Sequence, residues 1–155
     1  MTHITTKRAF LIFALAVLSL AIETRDFFGV RLDATALLVY YIGLKHGPSK
    51  GLLFGAVIGA ATDALSGGLL GPGMMGKALV GYLAPLVPNV FFRWTPAVGL
   101  LSAFSLTLLD RAVSLGAISL LEEMPVGALR ALGIALTGAA LNSLAGPFLR
   151  PNQAP

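Results

Sequence analysis

Four ionisable residues, Asp63, Lys77, Asp110 and Arg111, stand inside long apolar stretches of this 155-residue chain. A charge placed there without a partner costs several kcal/mol. Each therefore needs a counter-ion, a hydrogen-bond partner or a function such as a proton relay or substrate contact. Asp63 lies three residues before the glycine-rich loop SGGLLGPG and Lys77 four residues after it. Matching shallow depth on two antiparallel helices predicts either an Asp63–Lys77 ion pair or two side chains that snorkel separately to the outer interface. Asp110 and Arg111 are neighbours, so on a helix they point about 100° apart. They are expected to seek groups on other helices, with Asn142 as a neutral candidate. For Asp110, Arg111 and Asn142, structural contacts within a helix bundle are the plainer reading beside a proton relay or substrate site.

The elements that must position these residues centre on GLLFGAVIGAATDALSGGLLGPGMMGKALVGYLAP, residues 51–85. Gly51, Gly55, Gly59, Asp63 and Gly67 recur every four residues, and Gly73, Lys77, Gly81 and Pro85 repeat that step. Residues four apart on a helix lie nearly above one another. The pattern predicts two helices, each with a bare stripe of small residues. Glycine costs about 1 kcal/mol against alanine in a helix in water. In lipid it is accepted where two backbones pack closely.

Only 12% of residues are charged, half the roughly 25% of a soluble domain, and the mean hydropathy is +0.84. Together with long uncharged runs, these values point to an all-α integral membrane protein, a single transmembrane domain over residues 1–155. With no cysteine in the chain, disulfides and thiol chemistry are excluded. His3 and His46 are far apart, so no metal site is expected, and no cofactor. Although the pI is near 9.9, the basic residues flank apolar runs singly. That pattern fits a lipid bilayer rather than nucleic acid.

Six spans are predicted, over about 7–23, 32–45, 48–65, 72–88, 96–121 and 126–149. Lys7 and Arg8 extend the first by snorkelling. The loop ETRDFFGVR puts aromatics at headgroup depth. The second span is short for about 30 Å of hydrocarbon; Asp33 is its expected N-cap, and Tyr40 and Tyr41 are placed near the opposite interface. Pro48 suits the first turn of the third helix, and Pro85 and Pro88 kink or end the fourth. Six spans put Lys7, Arg8, Lys45, Lys50, Arg93 and Arg150 on one side with no acidic residue. They put Arg25 and Arg31 on the other with Glu23, Asp26, Asp33, Glu122 and Glu123. Basic residues prefer cytoplasmic loops, so both termini are expected in the cytoplasm.

The glycine-rich loop lacks the Lys-Ser/Thr and preceding strand of a phosphate-binding loop. No Ser/His/Asp set, paired carboxylates or HExxH is present, so catalysis is not expected. Ser102, Ser105 and Thr107 read as interhelical hydrogen-bond donors. Gly133, Gly138, Asn142 and Gly146 read as a packing face.

The third-span pattern, Gly51, Gly55, Gly59, Asp63, Ser66, Gly67, Leu70 and Gly71, with the following Gly81-Tyr82-Leu83, resembles the rod-shape-determining MreD family. The likeness is diagnostic between about residues 31 and 83. It implies a six-helix bacterial inner-membrane protein, without enzymatic activity, in the complex that builds sidewall peptidoglycan. The implied partners are membrane-anchored MreC, actin-like MreB, RodA and its penicillin-binding transpeptidase. The implied fold is similar to the substrate-binding component of energy-coupling-factor transporters, which makes a vitamin-capturing subunit the alternative. Against that alternative, the first span AFLIFALAVLSLAI lacks an Ala-xxx-Ala docking pair. Gly51, Gly55, Gly59, Gly67, Gly71 and Gly81 are the expected helix-packing or partner interface. Lys77 is not expected from the family.

Overall fold

The computed structural model describes residues 14–21, 33–67, 69–90, 94–121 and 127–149. Most of the first span, the loop at 22–32, Gly68, the turn at 91–93, the Glu122–Glu123 loop and the C-terminal tail lie outside them, and with them the flanking charges used to orient the chain other than Asp33, Lys45 and Lys50. The described residues are helical and contain no strand. A first helix, α1, covers 14–21 and buries Ala16 and Ser19.

Helix α2 (Ala34–His46) starts where Asp33 Oδ1 accepts from the Ala36 amide at 3.0 Å. It stops at Gly47, whose φ of +90° an L side chain adopts rarely. Eight of its 13 residues are buried, so α2 is the central helix rather than a lipid-facing one. That explains its length: protein, not hydrocarbon, surrounds it, and about 20 Å of helix suffices. Its two tyrosines differ in setting. Tyr40 is fully buried, with its hydroxyl 2.7 Å from Ser102 Oγ, and Tyr41 lies half-buried under the Lys45 ammonium.

Helix α3 (Pro48–Ser66) follows after one residue, with Pro48 in its first turn. Helix α4 (Pro72–Leu83) runs back along it. Pro85 and Pro88 have no amide hydrogen to give, and there the helix tightens into a 3-10 turn (Ala84–Leu86) followed by a short α5 (Val87–Val90). Helix α6 (Pro96–Leu121) is the longest among the described residues. Helix α7 (Ala128–Ser143) ends before a turn and a 3-10 segment (Gly146–Phe148) containing Pro147. The expected last span to residue 149 is thus a helix plus a broken end. Among the described residues, two stretches, Pro96–Leu120 and Arg130–Phe148, are long and apolar enough to cross a membrane.

Glycines set the spacing. A Cβ at Gly51 would strike the Gly81 carbonyl, one at Gly55 the Lys77 carbonyl, and one at Gly59 the Gly73 carbonyl. The α3 stripe therefore lies directly on the α4 backbone. Gly43 joins the node: its Cβ would come within 2.6 Å of the Gly81 oxygen. Gly99 and Gly146 form a second such contact between α6 and the last 3-10 turn. The core between these seams is filled by Val39, Tyr40, Val80, Ala84, Ala103 and Leu106. Leu53, Val57, Leu65, Leu101 and Leu120 are more than half exposed, an apolar exterior suited to lipid.

Gly67 and Gly71 do not belong to this packing face, contrary to the sequence expectation. Nothing lies within 4 Å of a Cβ at either. Gly67 instead ends α3 in the left-handed conformation at φ +66°, and Gly71 precedes α4 at φ +135°. Both serve the turn, not the seam.

Candidate functional site

The buried charges fall into two groups. In the first, Asp63 sits on the last turn of α3, facing the start of α4. Its Oδ2 accepts from the amides of Gly71 at 2.9 Å and Met74 at 3.1 Å, and its Oδ1 from Gly73 at 2.9 Å. The first amides of a helix have no partner within the helix and carry the positive end of its dipole. Gly71 has no side chain to cap α4, so the carboxylate of the preceding helix does it. Gly73 makes this possible, since a Cβ there would collide with Asp63 Oδ1. Ser66 Oγ donates back to the Thr62 and Asp63 carbonyls, closing the α3 end of the turn.

Asp63 and Lys77 therefore do not pair, and neither snorkels outward: they are 8% and 3% exposed. Depth and direction both separate them: Gly55 lies against the Lys77 carbonyl and Gly59 against that of Gly73, so Lys77 is level with Gly55, about two turns from Asp63. Asp63 has three amides within reach at the mouth of the loop. Lys77 lies one turn further along α4, and its side chain leaves toward α2 and α6.

There the second group forms. Lys77 Nζ is 3.4 Å from Asp33 Oδ1 and 3.4 Å from Asp110 Oδ2. Arg111 Nη2 is 2.9 Å from Asp33 Oδ2. Asp33 Oδ1 also accepts from Thr35 Oγ1 at 3.1 Å. Asn142 of α7 donates from Nδ2 to the Asp33 carbonyl at 3.0 Å, with Thr107 Oγ1 at 3.5 Å. Asp33, Lys77, Asp110 and Asn142 are each 3% exposed or less. Two cations and two carboxylates make the cluster formally neutral, as a buried group of ions requires. It ties the head of α2 to the middle of α4, the middle of α6 and, through Asn142, to α7. A further tie runs from Ser114 Oγ of α6 to the Pro72 carbonyl of α4 at 3.1 Å.

Asp110 and Arg111 do reach groups on other helices, and Asn142 joins the same cluster, though by way of Asp33 rather than by bonding either of them. Asp33 itself was read from sequence as a cap in an outer loop, not as an intramembrane charge. A signal for it exists. Once Asp63 is taken by amides, Lys77 and Arg111 face Asp110 alone, and one cation lacks a counter-ion. Asp33 is the nearest acid beginning an apolar helix. Gly76 was also missed: it clears the space for Asp110, whose Oδ1 a Cβ would strike.

A model of the family described as rod shape-determining protein MreD matches residues 4–123. No curated protein and no solved structure matches the chain. The matched stretch runs through α6 and contains the glycine seam, the Asp63 cap and all four charges of the cluster. The chain belongs to the MreD family, membrane proteins of rod-shape determination.

Proposed function

We propose that this protein acts in rod-shape determination as a non-enzymatic membrane scaffold. It would be a six-span bundle of the kind seen in energy-coupling-factor substrate-binding components, in the bacterial inner membrane with both termini cytoplasmic. Its partners would be MreC, MreB, RodA and the penicillin-binding transpeptidase of the sidewall synthase. The observation that carries the reading is the engagement of the intramembrane charges. Asp33, Lys77, Asp110 and Arg111 contact one another, and Asp63 is used by three amides. Charges used this way brace a frame. The apolar exterior is then the surface offered to lipid and to partner spans.

The test is purification from native membranes with identification of what comes along. Elongation proteins in stoichiometric yield, lost in a Gly55→Leu variant that still inserts, support the scaffold. A stoichiometric vitamin or an energising ATPase overturns it.

A further inference from the structure

We propose that Asp110 and Asp33 form a proton-binding pair, in which one proton carried on Asp110 transfers the hold on α6 from Lys77 of α4 to Asp33 at the head of α2. The two carboxylates are unequally provided for. Asp33 accepts from the Ala36 amide and the Thr35 hydroxyl and pairs with Arg111 at 2.9 Å. Asp110 is 1% exposed; among the described residues its Oδ1, like Asp33 Oδ2, has no hydrogen-bond partner, but Asp33 Oδ2 has the Arg111 guanidinium beside it. That oxygen lies against Gly76, and Ser114, one turn on along α6, gives its hydroxyl hydrogen to the Pro72 carbonyl. The remaining tie of Asp110 is Lys77, at 3.4 Å and shared with Asp33 at the same distance. A charge-assisted N–H···O bond is typically about 2.7–2.9 Å, so the ammonium holds neither carboxylate closely. The shared ammonium, 3.4 Å from an oxygen of each, sets the two carboxyl groups side by side. Such a pair repels when both are ionised and attracts when one carries a proton.

The step is a simple one. A hydronium ion gives its proton to Asp110 and leaves as water; no other bond is made or broken. Protonated Asp110 donates to Asp33 and loses its attraction to Lys77, while Asp33 retains Lys77 and Arg111. The charged groups acting on Asp110 are Lys77 from α4, Asp33 from α2 and Arg111 from its own helix; α7 contributes the neutral Asn142. Access is from the Arg111 side, where the side chain is 23% exposed while the other three are 4% or less.

Infrared difference spectra of the solubilised protein, recorded as pH is lowered, read the proton directly. We expect a carbonyl band of a buried carboxylic acid that is lost in Asp110→Asn, retained but shifted in Asp110→Glu, and untouched in Asp63→Asn. Because the chain has no cysteine, spin labels at Met75→Cys on α4 and Ala112→Cys on α6 report the seam. Their distance distribution should shift with pH in the otherwise native protein and stay constant in Asp110→Asn. A band that persists in folded Asp110→Asn, or is unshifted in Asp110→Glu, overturns the proposal, as does a pH-independent label distance. Should Asp110→Asn fail to fold, the Asp110→Glu shift decides. The proposal stands apart from the scaffold reading, whose failure would appear in co-purification and not in these spectra.

Discussion

On the side of α4 that faces α3, Gly51, Gly55 and Gly59 lie against the carbonyls of Gly81, Lys77 and Gly73, and the contact is backbone on backbone. On the side that faces α2 and α6, the same helix sends out Lys77 to meet Asp33 and Asp110. Lys77 takes part in both: its carbonyl in the first seam, its ammonium in the second. The glycine seam depends on shape and carries no net charge. The ionic seam depends on the balance of charge, and on the room that Gly76 leaves for Asp110. In lipid the difference matters, because apolar burial alone does little to hold apolar helices together. Close approach and polar contacts must do so, and α4 uses one on each side.

The largest expected effect comes from unbalancing the ionic seam. Lys77→Met leaves one carboxylate without a counter-ion, and breaking a buried pair costs about 3–5 kcal/mol. Adding Asp110→Asn restores neutrality, with Asp33 and Arg111 still paired, and should recover part of the loss. Adding Asp63→Asn instead should recover nothing, since Asp63 belongs to the other group. Thermal unfolding in detergent across both double-mutant cycles measures the coupling. Equal coupling in the two cycles would merge the regions that the structure separates.

Next is the glycine seam. Gly55→Ala puts a methyl into the Lys77 carbonyl, and overpacking of this kind typically costs 1–3 kcal/mol. Gly133→Ala on α7 is its control: nothing lies within 4 Å, and the helix gains up to about 1 kcal/mol of propensity. Opposite signs in the two unfolding curves are expected; the same sign would show that the seam has room to spread.

The smallest of these effects belongs to the cap. Asp63→Asn keeps an acceptor oxygen but gives up the charge and one of the acceptors of three amides. A hydrogen bond to a charged group contributes about 1.5–3 kcal/mol, of which the amide oxygen retains part, so a loss of about 1 kcal/mol is expected. Faster amide hydrogen exchange confined to the first turn of α4 would accompany it. Exchange that quickens equally in α6 would instead tie the cap to the charge cluster.

The four-residue step of Gly51, Gly55 and Gly59 was readable because helical periodicity is a local property, and a stripe every four residues needs no knowledge of the partner. The helix boundaries followed from Pro48, Gly67, Pro72 and Pro96 for the same reason. Depth was less readable: counting from the loop places Asp63 and Lys77 at similar levels, whereas the glycine contacts put Lys77 level with Gly55. What a count along the chain does not contain is azimuth. It does not say that Lys77 turns away from α3, that three amides claim Asp63 first, or that the short α2 is enclosed by its neighbours and brings Asp33 inward with it. Those follow from how the helices rotate against one another, which is fixed by the glycine contacts at Gly43, Gly81, Gly99 and Gly146 acting together across residues far apart in sequence. Composition and local spacing thus determined a membrane helix bundle with charges inside it; the pairing of those charges was decided only by packing, because an ion pair depends on direction and distance in three dimensions.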